Sequence, residues 1–319
     1  MTTSPAQFLA NPWSLKDWLA RFGHRPNLQA ELAVLEDTFS ALWRQTAFAA
    51  LPSKHPLARD LITLGGQMCL LDLAAEVLRH IDADVWSADI KVPMQGRLRC
   101  WNLYLPTLSE FRVAPILRPV GRLTWQPQGT GHGADYQVDH KSGVLVAEVK
   151  RVCTSRRYEE TLMRRVSKDV RRPGPVFTRR EERSNTLEDV PRLYKRVKYA
   201  AKQLAISAGE AVNAARRSGR SIGRAPGVLF LDLEGNSGLH NLLPWIGGWM
   251  RLPWARSIDL IVFFDYASRD GVWGTVAQPE LPRNESALSV LVDALGLCSE
   301  GHFHVGNRPR GKCEFPIGF

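Results

Sequence analysis

The sequence has few cysteines, and no two of them are close enough to work together. The five, Cys69, Cys100, Cys153, Cys298 and Cys313, are odd in number and scattered over 319 residues, with no CxxC pair. That excludes a disulfide framework and a thiolate zinc site. No apolar run approaches the ~20 residues of a membrane span. The opening MTTSPAQFLANPW has no basic segment followed by an apolar one, so no secretory signal is expected. Internal repeats and low-complexity tracts are absent. These absences leave a soluble, cytoplasmic chain in a reducing compartment, long enough to bury a large core as one domain or two. The 44% hydrophobic content and 10 tryptophans are those of a globular protein.

Basic residues, by contrast, are concentrated in one place. Between Lys150 and Lys202 the chain holds 17 Lys and Arg against 7 Asp and Glu, a surplus of ten. The whole-chain net charge is also +10, so the rest of the protein is neutral on balance. A concentrated basic stretch reads as an electrostatic footprint for phosphates, and segment 150–202 is expected to meet nucleic acid. The bland alternative is a solvated helix face.

Along the chain, residues 1–58 read as a helical region. SLKDWLARFG starts at an N-cap Ser14, and a longer helix runs from about Leu28 to the residue before Pro52. An apolar helix spans 60–81. From 84 to 130 the text turns to short β-like pieces, DIKVP, RCWNLYL and RLTWQP. Two strands, 134–139 and 144–152, flank HKSG. A basic helix, YEETLMRRVSKDV, comes next, then a charged loop. Residues 187–208 form a long helix with Pro191 in its first turn. GVLFLDLEG (227–235) and SIDLIVFFDY (257–266) read as buried strands around a short helix, LLPWIGGWM. A last helix, ESALSVLVDALG, precedes a basic tail. Continuous apolar strands separated by helices give an α/β class, a layered sheet covered on both faces.

GADYQVDHKSGVLVAEVKR (133–151) carries the chemistry. Buried strands rarely hold charge without a partner or a task. With a two-residue loop, Lys141–Ser142, or a four-residue loop, His140–Gly143, Asp135 falls opposite Glu148, Cβ atoms roughly 4.5–5.5 Å apart. A three-residue loop would set it against Ala147 instead. Glu148 and Lys150 share a face by period two. Two carboxylates so placed suit Mg²⁺, which takes one or two carboxylates and leaves its other positions to water and phosphate. Lys150 would orient the attacking water or stabilise developing charge.

These residues resemble the PD-(D/E)xK nuclease superfamily, the restriction-endonuclease-like fold. GAD at 133–135 is followed thirteen residues on by Glu148-Val149-Lys150 at the end of an apolar strand. Ala134 stands where the name-giving proline would be. The resemblance covers roughly 60–270. It implies an αβββαβ core, a mixed sheet flanked by helices, with an N-terminal helical extension. The divisions expected are 1–58, 59–278 for the nuclease-like domain and 279–319 for a C-terminal helix and basic tail. It also implies Mg²⁺-dependent phosphodiester hydrolysis, with Mn²⁺ able to substitute. Asp135 and Glu148 become metal ligands and Lys150 the catalytic lysine. Some members carry a glutamine followed four residues later by tyrosine on the next helix. Here the order is reversed, Tyr199 then Gln203, and Gln203 is carried over as a site residue. Others add an acid from the helix before the sheet, which selects Glu76, with Asp72 on its face.

The function expected is a metal-dependent nuclease acting on DNA, in keeping with the family's defence and toxin roles. The rival is an inert nucleic-acid-binding protein of the same fold, which the intact Asp135, Glu148 and Lys150 argue against. A basic adaptor for an acidic partner is a third reading, and a homodimer or protein partner is compatible with the sequence. His302 and His304 have no partner ligands at fitting spacing. His132 and His140 read as loop residues. Trp245, Trp249 and Trp254 could stack bases but at helical spacing read as core. Asp232 and Glu234 sit near the terminus of a buried strand, and nothing in the sequence supports a second metal role for them.

Overall fold

The computed structural model describes Thr38 and residues 88–100, 103–125, 133–151, 190–232, 239–264, 272–277 and 287–295. The helices expected at 14–23, 28–51, 60–81 and 158–170 lie outside these described residues, Thr38 excepted. The chain divides into two compact units, Met1–Phe111 with Thr154–Glu181, and Arg112–Cys153 with Glu182–Phe319.

Over residues 88–117, which run from the first unit into the second, the sequence reading needs correction. DIKVP lies in helix α1 (Ala88–Arg99), and RCWNLYL runs into helix α2 (Tyr104–Leu117); neither is a strand. Tyr104, Leu105, Leu108 and Phe111 are buried, but so are Thr107, Ser109 and Glu110. A helix buried on every side has no polar face, so the 3.6-residue alternation that reveals helices is silent here. Its hydroxyls are satisfied within the helix: Thr107 Oγ1 donates to Leu103 O at 2.7 Å and Ser109 Oγ to Leu105 O at 3.1 Å. Glu110 pairs with Arg97 of α1.

The second unit is built on a mixed six-stranded sheet whose spatial order is the chain order, β1 (Arg122–Trp125), β2 (Tyr136–His140), β3 (Gly143–Arg151), β4 (Gly227–Asp232), β5 (Leu260–Phe264) and β6 (Val272–Ala277). The first three strands form an antiparallel meander; β3, β4 and β5 are parallel; β6 returns antiparallel. Parallel neighbours need a crossover, supplied by α3 (Val190–Arg217) between β3 and β4 and by α4 (Leu239–Met250) between β4 and β5. A short helix, α5 (Ala287–Ala294), packs against β2 and β3. The class is therefore α/β, a mixed sheet flanked by helices. Among the described residues no helix is long and apolar enough to cross a membrane.

α3 is the amphipathic element that positions everything else. Leu193, Val197, Ala200, Ala201, Leu204, Ser207, Ala211 and Ala215 form its buried stripe. Leu193, Val197, Ala200, Ala201, Leu204 and Ala211 pack in one core with Val144, Val146, Leu229, Leu231, Ile261 and Phe263, alternate residues of three strands. The other residues of β3 and β4 face away, as period two requires. The sequence ends this helix near Ala208 because Gly209 costs ~1 kcal/mol relative to alanine in a helix interior. Burial of Ala211 and Ala215 carries the helix two turns further. At the start of β4, Gly227 cannot be replaced without movement: a Cβ there would lie 2.0 Å from Ser257 O. Its N–H donates to Asp259 Oδ2 at 2.8 Å, and Asp259 N–H donates back to Gly227 O at 2.7 Å. Burial pushes the Asp259 carboxyl above its usual range, against the pull of the Gly227 amide and the Arg224 guanidinium.

Candidate active site

The β2–β3 hairpin turns through Lys141–Ser142, the two-residue loop, and pairs Tyr136 with Ala147 and His140 with Gly143. One step beyond Tyr136 in the same register, Asp135 meets Glu148. The two are joined reciprocally: Asp135 N–H donates to Glu148 Oε2 at 3.1 Å, and Val149 N–H donates to Asp135 Oδ2 at 2.8 Å. Lys150 Nζ pairs with Glu148 Oε1. Asp135, Glu148 and Lys150 thus meet on the face of the sheet that α3 covers. Glu148 is 0% exposed, whereas the Lys150 side chain is 22% exposed. The lysine stands between a buried carboxylate and the surface.

Asp139 shares the strand face of Asp135 but not its environment. An aspartate at a hairpin turn commonly accepts from the turn's own amides, but Asp139 does not. The Ser142 N–H is taken by His140 Nδ1 at 3.2 Å, because the imidazole reaches over the two-residue turn. Asp139 instead accepts from Gln137 Nε2 at 3.4 Å and lies 4.0 Å from Arg220 Nη1.

Gln203 of α3 donates through Nε2 to Gly133 O at 3.4 Å, and its Oε1 is buried without a hydrogen-bond partner. One turn on, Ser207 Oγ accepts the Ala134 N–H at 2.6 Å. Together they hold the backbone of Gly133 and Ala134, and hence the start of the strand that carries Asp135. Ser207 was not legible in the sequence; a small hydroxyl among alanines gives no signal until the helix is docked. Glu76 lies outside the described residues, as do Asp72, Glu234, His132, His302 and His304. Asp232 is buried but faces away from Glu148: it pairs in register with Arg151, whose side chain points opposite to that of Lys150. Trp249 lies in the core and Trp254 packs against it, with edge contacts to Tyr194 at 5.3 and 5.5 Å, but Trp245, read as core from its spacing, is exposed.

The first turns of α3 bring cations to this same end of the hairpin. Lys150, Pro191, Arg192, Lys195, Arg196 and Tyr199 line an open groove of about 630 Å³. Arg196 donates to Arg151 O and so fixes the groove to the end of β3. No acidic residue occupies the first turn of α3. A helix N-terminus already carries roughly half a positive charge, and cations there are unfavourable for the helix itself. The cations at this end therefore do not stabilise the helix.

Among the described residues no group of three or more His, Cys, Asp or Glu side chains converges on one point. The donors present are two carboxylates and, beside the Gly133–Asp135 segment, the unpartnered amide oxygen of Gln203. All are oxygens, and two carboxylates are as many as Mg²⁺ ordinarily takes from protein. The set fits a hard divalent cation. No family model, curated protein or solved structure matches the chain.

Proposed function

We propose that the protein is a divalent-metal-dependent nuclease that hydrolyses phosphodiester bonds in DNA. The observation that carries the reading is the meeting of Asp135, Glu148 and Lys150 beside a groove lined by Arg192, Lys195 and Arg196. The order α2, β1, β2, β3, α3, β4 among the described residues supports a restriction-endonuclease-like αβββαβ core, extended by β5 and β6.

On this reading Asp135 and Glu148 would hold Mg²⁺ or Mn²⁺, while Gln203 holds the Gly133 carbonyl just ahead of Asp135. A cation bound there supplies a polarised phosphoryl oxygen and an acidified water. Lys150, delivered by the same strand, orients the attacking water and offsets the charge that develops on phosphorus. Arg192, Lys195 and Arg196 hold flanking phosphates. The inert binding protein is a second reading, favoured by one observation: Glu148 is wholly buried and already hydrogen-bonded to Asp135 N–H and Lys150.

Incubation with plasmid, linear duplex and single-stranded DNA separates the two. The nuclease reading expects cleavage with Mg²⁺ or Mn²⁺ and none with EDTA; binding without cleavage under every metal condition selects the inert protein. Charge provides an independent check by fluorescence anisotropy across a salt series. Each phosphate neutralised contributes roughly −0.7 to −0.9 to the log–log slope. Arg192→Gln with Lys195→Gln is therefore expected to flatten the slope by about 1.4–1.8. An unchanged slope would remove the groove from the nucleic-acid path.

A further inference from the structure

α3 carries one residue that neither its core-facing stripe nor its charge explains. Tyr199 is 50% exposed, among the few large hydrophobic side chains so open in the described residues. It sits between exposed Lys198 and Lys202 and takes no part in the core cluster that holds Tyr194 five residues earlier. Lys150 Nζ lies over its ring, 5.7 Å from the centroid. That separation is within cation–π range. Tyr199 also closes the groove whose other walls are Lys150, Arg192, Lys195 and Arg196. An aromatic plane held beside a row of cations has the two parts of a single-strand site, a stacking surface and a phosphate track.

The geometry points to an unpaired nucleotide as the occupant. The groove's volume, about 630 Å³, lies within the roughly 300–1,000 Å³ of small-molecule sites and has room for one nucleotide. From Arg192 to Tyr199 the helix rises ~10 Å, which spans two or three phosphates at ~3.4 Å per nucleotide of a stacked strand. Inside a duplex both faces of every base are covered by its neighbours, so Tyr199 has nothing to stack on. Single-stranded DNA is thus the substrate, its base on Tyr199 and its backbone along Arg192, Lys195 and Arg196. Through its contact with Lys150, the ring positions the strand at the lysine. This inference rests on the nuclease reading for its site and deepens it by naming the substrate.

Binding is measured by anisotropy with the full chain in EDTA, so that affinity is read without cleavage. The probes are a labelled single strand, the same sequence as a duplex, and a strand of equal length built from abasic sites. The wild type is expected to prefer the single strand. Tyr199→Ala weakens that complex by about tenfold, leaves the duplex and abasic complexes unchanged, and Tyr199→Phe restores the affinity. Uniform weakening of all three, no weakening at all, or a wild type that prefers duplex overturns the inference. Metal-dependent plasmid cleavage alongside a neutral Tyr199→Ala would discard the single-strand site and keep the nuclease. Base-dependent single-strand binding with no cleavage in any metal would do the reverse.

Discussion

Lys150→Met is expected to abolish cleavage and to destabilise the fold, whereas the double variant Glu148→Gln/Lys150→Met regains the stability and stays inactive. Lys150 has two tasks in one place. Its ammonium pairs with Glu148, a carboxylate that is 0% exposed. Removing one partner of a buried pair costs about 3–5 kcal/mol, because the remaining charge keeps its desolvation penalty. The Lys150 side chain is 22% exposed, which places the loss at the lower end. For a chain this long the melting temperature should fall by roughly 5–10 °C. Replacing both members by neutral residues of similar shape is often harmless. The glutamine introduced by Glu148→Gln would still accept the Asp135 N–H. Thermal unfolding and cleavage of single-stranded and plasmid DNA with Mg²⁺, read on the same samples, separate the tasks. Cleavage at the wild-type rate in the stable double variant would sink the enzyme as described. A single variant as stable as wild type would show that the pair contributes nothing to the fold.

The second large effect distinguishes two aspartates on one strand face. Asp135→Asn is expected to lower cleavage by at least about 10²–10³-fold, since a metal contributes several kcal/mol to the transition state. The fold should survive, because asparagine can still accept the Val149 N–H that Asp135 accepts at 2.8 Å. Asp139→Asn is expected to keep most of the activity. Its ion pair with Arg220 spans 4.0 Å with both side chains at least a third exposed, so its loss costs no more than ~1 kcal/mol. Calorimetric titration with Mn²⁺ should reproduce the difference, heat with wild type and Asp139→Asn and none with Asp135→Asn. A dead Asp139→Asn beside an active Asp135→Asn would move the site to the hairpin turn.

Legibility in the sequence depended on which physical signals are local. Period two along GVLVAEVKR put Glu148 and Lys150 on one face, and a two- or four-residue turn placed Asp135 against Glu148. The three-residue turn that would have paired it with Ala147 is ruled out only by the folded hairpin. The residues of β4 and β5 were legible because parallel strands buried on both faces are continuous apolar runs. Helices α1 and α2 were not. Pro93, Pro106 and Pro115 punctuate them, and burial of Thr107, Ser109 and Glu110 erases the polar face that would have marked a helix. Strand β6, with Gly274 at its centre, is too short and weak a pattern to stand out. For the site, the positive surplus of segment 150–202 was countable, but only the phase of α3 sorts Arg192, Lys195 and Arg196 into one groove with Tyr199. In the sequence Tyr199 was visible only as a neighbour of Gln203.

α3 also works as a ruler. Arg196 is fastened to Arg151 O at the end of β3, Gln203 and Ser207 to Gly133 O and Ala134 N–H at the start of β2, and Arg220, just past the helix, to His140 O at the turn. These attachments lie along one rigid rod on both ends of the same hairpin. Each residue inserted into or deleted from such a rod shifts the remainder of the helix by 1.5 Å and turns it by about 100°. A single-residue change between Arg196 and Gln203 would therefore carry Tyr199 and the cations out of step with Asp135, although every strand remained intact. Because the last fastening, Arg220, lies past the end of the helix, the spacing of the groove from the carboxylates is set by counting residues, not by the softness of side chains.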